Sequence, residues 1–405
     1  MKPLLTQLLN LPGIEVEDYH ELGDELILEV EAIRDFATCP RCGQESHHLH
    51  QNRGHLVRDL NISSFKVLLR VNRRQFKCKT CGKPFSEELD FVGRRRKHTD
   101  RFAEMIVKQV IHSDTHNVAK NNDLTDEEVW SMVQYLSKKK WVFDLKGLRR
   151  LGIDEITLRK GQSDYVVVLV DLDKNELIGL APSRKHEDIK EVLESWGEEV
   201  LSQIIEVSID LSGNYRNLIK KYLPNAEIVA DRFHVMKLVN EEFNKARNRE
   251  KKAIDSNLDA AEKERLKEAF KQSKYALLKP EESLTEKQKI KLEEIKKVSP
   301  ILAEMHRQKE SFRNIFETAE DWADGVFKLI DWMKNAQENF QDSVSTIGRW
   351  FGEIVNYFDS RTTSGAVEGI NNRLKLIKRS GYGFRNFDNF RLRCLMCWHL
   401  DLNSA

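Results

Sequence analysis

The sequence predicts an α/β multidomain chain, and three observations predict it. Two matched Cys-x-x-Cys-Gly knuckles, Cys39–Gly43 and Cys78–Gly82, lie near the start. From residue 148 onward, apolar strand-like runs alternate with helical patterns. From about 235 to 344 the strand signal vanishes and a Lys/Glu-rich helical pattern takes over. At 405 residues the chain exceeds one ordinary core and fits two to four domains.

The N-terminal segment, residues 1–92, starts as a short leader whose one strand is Glu25–Glu31. Each knuckle turns on its glycine and presents two thiolates, so Cys39, Cys42, Cys78 and Cys81 make a closed, structural Zn²⁺ site of the ribbon type. A redox pair is the alternative, but two matched knuckles beside strands favour zinc. His47, His48, His50 and His55 lie between the pairs, and a complete cysteine set leaves them out. Phe65–Val71 is rich in β-formers and reads as a strand.

Net charge is only +1, so overall basicity does not announce a polyanion partner. Its distribution does. Lys66 to His98 holds 11 Lys/Arg (66, 70, 73, 74, 77, 79, 83, 94, 95, 96, 97) against Glu87, Glu88 and Asp90. Arg94, Arg95, Arg96 and Lys97 are the densest block and the expected phosphate-contacting residues, with a solvated linker as the plain alternative.

Residues 93–145 switch to helical periodicity. Thr99-Asp100 caps a helix carrying Phe102, Met105, Ile106 and Val110 on one face. Thr125 with Glu128 is a capping box, and the helix after it carries Val129, Val133 and Leu136. Helix, short helix, turn, helix is the outline of a helix-turn-helix module that binds DNA.

Residues 148–234 give strands at Leu151–Ile156, Tyr165–Asp171 and Glu176–Ala181, a helix at His186–Trp196, a strand at Ile204–Asp210, a helix at Tyr215–Tyr222 and a strand at Ala226–Asp231. That order matches the mixed sheet of a ribonuclease H-like core. Residues 235–345 would be an all-helical insertion, and residues 346–405 the second part of the core.

Three acids stand where such a core places metal ligands. Asp154 and Asp210 close apolar strand-like runs, and Glu368 lies on a helix that Ser364 can cap. Three convergent carboxylates can hold two Mg²⁺ about 3.5–4 Å apart, with Mn²⁺ as a substitute, and clamp both oxygens of a phosphodiester displacement. Glu155 points to the opposite strand face from Asp154, and Asp231 competes with Asp210; topology favours Asp210. Asp231 and His234, three apart, share a helix-entry turn and form an auxiliary pair, or else an ordinary N-cap aspartate with a packed histidine. Lys375, two turns after Glu368, can reach a DNA phosphate, and Asn371, Asn372, Lys378 and Arg379 add donors. Cys394 and Cys397 lack a knuckle glycine and read as buried core.

Together the knuckles, the segment from Arg101 to Leu136, and the blocks Gly152–Glu155, Val207–Asp210, Asp231–His234 and Ser364–Asn372 resemble bacterial insertion-sequence transposases of the ISL3 family. The resemblance covers nearly the whole chain. It implies a DDE-type catalytic core carried by Asp154, Asp210 and Glu368, with Asp231 and His234 as its Asp-x-x-His element. It implies binding to double-stranded DNA at the element's inverted repeats and at a target, strand cleavage and strand transfer, and at least a homodimer on DNA. In related transposases an insertion tryptophan can stack on DNA bases; Trp322, Trp332 and Trp350 are candidates, with core packing the plainer reading. No apolar run approaches the roughly 18 residues of a membrane span, and Met1–Leu5 opens no signal segment, so the expected location is the bacterial cytoplasm, on the nucleoid. Two other classes stay open: a non-cutting regulator that binds the repeats, and a nuclease that hydrolyses without joining.

Overall fold

The computed structural model describes residues 1–159, 164–254, 259–362, 365–381, 383–384 and 386–400. It divides into two units, the first built from Met1–Phe143 with Ser380–Tyr382 and His399–Ala405, and the second from Asp144–Arg379 and Gly383–Trp398.

The first unit opens with α1 (Lys2–Leu9), β1 (Ile14–Leu22) and β2 (Glu25–Ala32). The small pair β3 (Ala37–Thr38) and β4 (Glu45–Ser46) frames the first knuckle, and β5 (Leu49–Arg58), β6 (Lys66–Lys77) and β7 (Pro84–Ser86) follow. The sheet order is β1-β2-β6-β5, with β7 on the far end of β6. So the leader holds a helix and two strands rather than one strand. β1 escapes the sequence pattern because only Ile14 and Val16 enter the core before a bulge between Val16 and Asp18 breaks the alternation. Leu28 and Val30 on β2 close a core with Val57, Val67, Leu69 and Val71.

The module that follows is α2 (Asp100–His112), α3 (Thr115–Asn121) and α4 (Asp126–Lys139). Thr99 accepts from Phe102 N, Asp114 accepts from Asn117 N, and Thr125 with Glu128 forms the reciprocal capping box. Phe102, Ile106 and Val110 of α2 and Val129, Val133 and Leu136 of α4 are buried, as a 3.6-residue stripe requires.

The second unit holds β8 (Arg150–Arg159), β9 (Asp164–Asp171), β10 (Glu176–Ala181), α5 (His186–Glu194), α6 (Glu198–Gln203), β11 (Glu206–Ile209), α7 (Gly213–Tyr222) and β12 (Glu227–Ala230). The sheet order is β10-β9-β8-β11-β12, antiparallel from β10 to β8 and parallel from β8 to β12. This is the ribonuclease H-like arrangement. Val166 to Val170 are fully buried, so β9 reads as a continuous apolar run.

A helical insertion follows: α8 (Arg232–Ala253), α9 (Ala260–Phe270), α10 (Ser273–Leu278), α11 (Glu286–Val298), α12 (Pro300–Thr318), α13 (Trp322–Ala336), α14 (Gln341–Arg349), α15 (Phe351–Val355) and α16 (Tyr357–Ser360). Its interior is aromatic, with Phe312 against Trp332 at 4.4 Å and Phe316 against Phe358 at 5.5 Å between centroids. The chain returns to the sheet with α17 (Gly365–Ser380) and α18 (Phe387–His399). Val367, Ile370, Leu374 and Ile377 of α17 and Phe390 and Cys394 of α18 cover Ile156, Val168 and Val170. Cys394 is thus core, and Cys397 packs at its margin. Among the described residues no helix is long and apolar enough to cross a membrane.

Candidate active site

The thiols of Cys39, Cys42, Cys78 and Cys81 lie within 4.8 Å of one another and form no disulfide. The Cys39–Cys81 and Cys42–Cys78 sulfur separations are 3.8 and 3.5 Å. A tetrahedron with Zn–S bonds of about 2.3 Å has edges of about 3.8 Å, so the donor set fits zinc. Both knuckles close alike: Gly43 N donates to Cys39 O at 2.9 Å and Gly82 N to Cys78 O at 3.0 Å, with both glycines at positive φ. The Cys81 N–H pointing at the Cys78 sulfur helps pull that thiol down to about 6, toward the thiolate a metal needs. His47, His48 and His50 are exposed, and His55 bonds Arg96 O, so no histidine enters the set.

The acids gather at one end of the second sheet. Asp154 does not close its strand, which runs on to Arg159. It still reaches the rim of the parallel half, because pairing of β8 with β11 ends at Gly152. Asp210 follows the last residue of β11. On the next strand end, Asp231 N donates to Ile209 O at 2.7 Å. Asp231 is both things the sequence allowed: one oxygen caps α8 by accepting from Phe233 N at 2.9 Å, and the other holds His234 Nδ1 at 2.7 Å.

Burial lifts the Asp210 carboxyl to about 6, and the same cause raises Asp154. His234 is shifted upward, chiefly by its bond to Asp231, and Asp154 and Asp210 add to the shift. Asp210 Oδ1 is buried with no hydrogen-bond partner, and so is Asn371 Oδ1. A half-buried carboxyl that feels the charges of Glu155 and Asp154, and that carries a buried oxygen with no partner, fits a cation.

α17 is set along β8 by three contacts. Val367 meets the position of a Gly152 side chain at 3.0 Å, Asn371 Nδ2 donates to Asp154 Oδ2 at 2.6 Å, and Lys378 Nζ donates to Thr157 O at 2.9 Å. Eleven helical residues at about 1.5 Å and five strand residues at about 3.3 Å both advance about 16 Å, so helix and strand run in step. Glu368 sits one turn before Asn371 and is exposed. Asp154, Asp210 and Glu368 do not all come within 4.8 Å of one another: among the described residues, only the four cysteines form such a set of three or more ligand groups. Ser364 lies outside the described residues.

The remaining predicted donors divide. Lys375, Arg379 and Asn372 are exposed, while Lys378 is spent on the Thr157 carbonyl. Arg94, Arg95 and Lys97 are exposed, but Arg96 lies over the Tyr135 ring at 4.5 Å and donates to Ser131 Oγ. Glu155, on the opposite strand face from Asp154, binds Arg184, accepts from Tyr215 Oη at 2.5 Å and adds to the upward shift of Asp210. Its signal was a tyrosine one turn into the helix after Asp210.

A family model for the ISL3 DDE domain, described as a transposase, matches residues 151–394. The chain belongs to the ISL3 family of transposases. Two further models match this ISL3 transposase: a zinc-finger of transposase IS204/IS1001/IS1096/IS1165 over residues 35–81, and the helix-turn-helix domain of transposase family ISL3 over 87–137. It is 27% identical over 393 residues to the transposase for insertion sequence element IS1001 of Bordetella parapertussis, covering 94% of each chain. It is 26% identical over 368 residues to the transposase for IS1557 of Mycobacterium tuberculosis, covering 86% of this chain and 82% of that one. The ISL3 transposase buries Trp332, whose Nε1 donates to Gln308 O at 2.7 Å, and Trp350, which lies 3.6 Å from the Arg216 guanidinium. Trp322 remains 43% exposed, so of the three it alone presents an open indole.

Proposed function

We propose that this ISL3 transposase binds the terminal inverted repeats of its own insertion sequence, cuts there, and joins the freed end to target DNA. Asp154, Asp210 and Glu368 are the acids assigned to the reaction, and the orphaned buried oxygen of Asp210 beside Asp154 carries the assignment. Mg²⁺, or Mn²⁺ in its place, would be held by these carboxylates and would supply Lewis-acid stabilisation of the phosphodiester displacement.

The residues divide the remaining work. Asn371 fixes one oxygen of Asp154. Asp231 fixes the His234 ring through Nδ1, and that ring, which feels the charges of Asp154 and Asp210, positions the scissile strand. Glu368, on the exposed first turn of α17, meets DNA as it enters and orients the attacking water. Water displaces the flanking strand and frees a 3′-OH; that hydroxyl then displaces a target phosphodiester, so each bond broken is replaced by one formed. The helix-turn-helix reads base edges while Lys/Arg side chains hold phosphates. The four-cysteine knuckles hold structural Zn²⁺. Pairing two element ends calls for at least a dimer on DNA. The substrate places the reaction on the bacterial nucleoid, in the cytoplasm.

The test is cleavage and strand transfer on a duplex bearing the gene's flanking repeat, with Mg²⁺ or EDTA, comparing wild type with Asp154→Ala, Asp210→Ala and Glu368→Ala. Metal-dependent nicking at the repeat boundary plus joined products, lost in each variant while binding survives, is the expected result. Normal cutting by Asp210→Ala with none by Asp231→Ala would move the second ligand to Asp231. Nicking without joined products would leave a nuclease.

A further inference from the structure

The hairpin β5–β6 carries an arrangement that the catalytic reading does not use. Val57, Leu69 and Val71 lie on its core-facing side. Followed outward by steps of two, that side continues on β6 through Arg73 and Gln75, and on β5 through His55, Arg53 and Gln51. A closed core would continue in apolar residues. Instead Arg53 stands directly opposite Arg73 in register, which brings their Cβ atoms to about 5 Å. Like charges directly opposed destabilise a sheet.

The neighbouring arginine shows what a structural role looks like. Arg74, one residue on, is gripped by Glu87 through Nε at 3.0 Å and Nη2 at 2.7 Å. Arg53 and Arg73 have no such acid among the described residues, and Arg73 Nε is buried with no partner. The segment after β7 adds two more cations to the same depression. His55 Nε2 bonds Arg96 O at 2.9 Å and Arg58 N donates to Lys97 O at 2.9 Å, which ties that segment to β5 and sets Arg95 and Lys97 at the groove wall. The depression measures about 440 Å³, and a second of about 790 Å³ shares Arg53, Arg73 and Arg95 and runs on to Pro40 and Arg41 between the knuckle cysteines. The result is an elongated furrow along which Arg53, Arg73, Arg95 and Lys97 pair with no acid among the described residues.

We infer that this furrow holds the phosphate backbone of a DNA strand, with Arg53 and Arg73 as a paired clamp separate from the helix-turn-helix. A row of phosphates supplies the negative charge that the Arg53–Arg73 pair lacks, and the smaller depression, lined by neither an acid nor a large apolar side chain, suits a backbone rather than a base; the larger one adds Phe85, Leu89, Val92, Glu88 and Glu87, the last committed to Arg74. The inference rests on the transposase reading, but it makes a different claim: these contacts carry affinity and no sequence preference.

The experiment uses the full zinc-loaded chain, one duplex bearing the flanking repeat and one scrambled duplex of equal length. Affinity is measured from 50 to 300 mM KCl for wild type, Arg53→Gln/Arg73→Gln and Arg53→Lys/Arg73→Lys. Loss of two phosphate contacts reduces the slope of log affinity against log salt by about 2 and weakens binding roughly 10- to 100-fold near 0.1 M salt. The glutamine pair should lose this much on both duplexes, with the preference for the repeat unchanged, and the lysine pair should keep the wild-type slope. Removing two opposed charges relieves repulsion, so the glutamine pair should melt no earlier than wild type. An unchanged slope and affinity overturns the inference, and so does a loss confined to the repeat duplex. If wild type shows no preference for the repeat but the glutamine pair still loses affinity on both duplexes, the furrow stands and repeat recognition falls.

Discussion

Replacing Gly152 by alanine places a methyl group where the second unit has no room. The added Cβ would lie 2.9 Å from Leu172 Cδ2 and 3.0 Å from Val367 Cγ2. Carbon atoms rest at about 3.5–4.0 Å, so one wall must retreat by roughly 0.5–1 Å. Leu172 ends the β9 side of the core, and Val367 is the residue before Glu368 on α17. Overpacking of this kind costs about 1–3 kcal/mol. For a unit of this size each kcal/mol lowers the melting temperature by about 2–4 °C. The retreat of α17 also lengthens the 2.6 Å bond from Asn371 to Asp154 and displaces Glu368. The expected outcome is a melting temperature lowered by roughly 5 °C, with nicking reduced more than that loss explains. Gly369→Ala on the same helix is the control. An added Cβ there meets nothing within 4 Å, so it should stabilise by up to about 1 kcal/mol. A Gly152→Ala chain that melts and cuts like wild type would refute the argument that β8 and α17 are locked in step.

Other outcomes follow from the same structure. Asn371→Ala frees Asp154 and should slow single-turnover nicking about 10–100-fold while leaving repeat binding intact; wild-type nicking would mean that the contact is idle. Metal analysis should find one zinc per chain, with Cys81→Ser losing it and exposing the first unit to proteolysis; a metal-free wild type of normal stability would count against the knuckles as a zinc site. His306 is 2% exposed, and burial holds its pKa down to about 4 against an ordinary 6.5. Its folded pKa is depressed, so the unfolded chain takes the proton first, and stability is lost as pH falls from 6.5 toward 4. Between pH 7 and pH 5 His306 should therefore cost the second unit about 2 kcal/mol, read as the difference between wild type and His306→Leu in urea unfolding, because the raised Asp210 and His234 contribute with the opposite sign in both chains. Equal pH dependence in both chains would dismiss His306 as its source.

Much of this layout was legible in the residues. The caps at Thr99 and Thr125 announced themselves because a hydroxyl before a helix has one job, to satisfy the first free N–H groups. The central strands were plain because both their faces are buried. The first strand was hidden because its outward face is acidic and its inward face offers only Ile14 and Val16. The sequence places Asp154 on a strand but not in mid-strand, since the end of pairing with β11 is a fact about a partner strand far away in sequence. Asn371 and Lys378 looked like DNA ligands because both are polar on a basic helix; only the register of α17 on β8 turns them inward to Asp154 and Thr157. The exposure of Glu368 was likewise invisible, because no sequence pattern states how far a helix leans over a sheet.

The position of the insertion also sets a timetable. Asp154 and Asp210 are synthesised before α8 to α16, and Glu368 after them, 158 residues beyond Asp210 (368 minus 210). At about 5–20 residues per second, the ribosome takes roughly ten to thirty seconds to cross that stretch. The knuckles, the hairpin and the helix-turn-helix emerge first. On the proposed function, a nascent chain would hold DNA near the gene that encodes it before Glu368 exists. On the same proposal, a message that ends early would yield a chain that occupies element ends without cutting them, and premature termination would make an antagonist of the full-length protein.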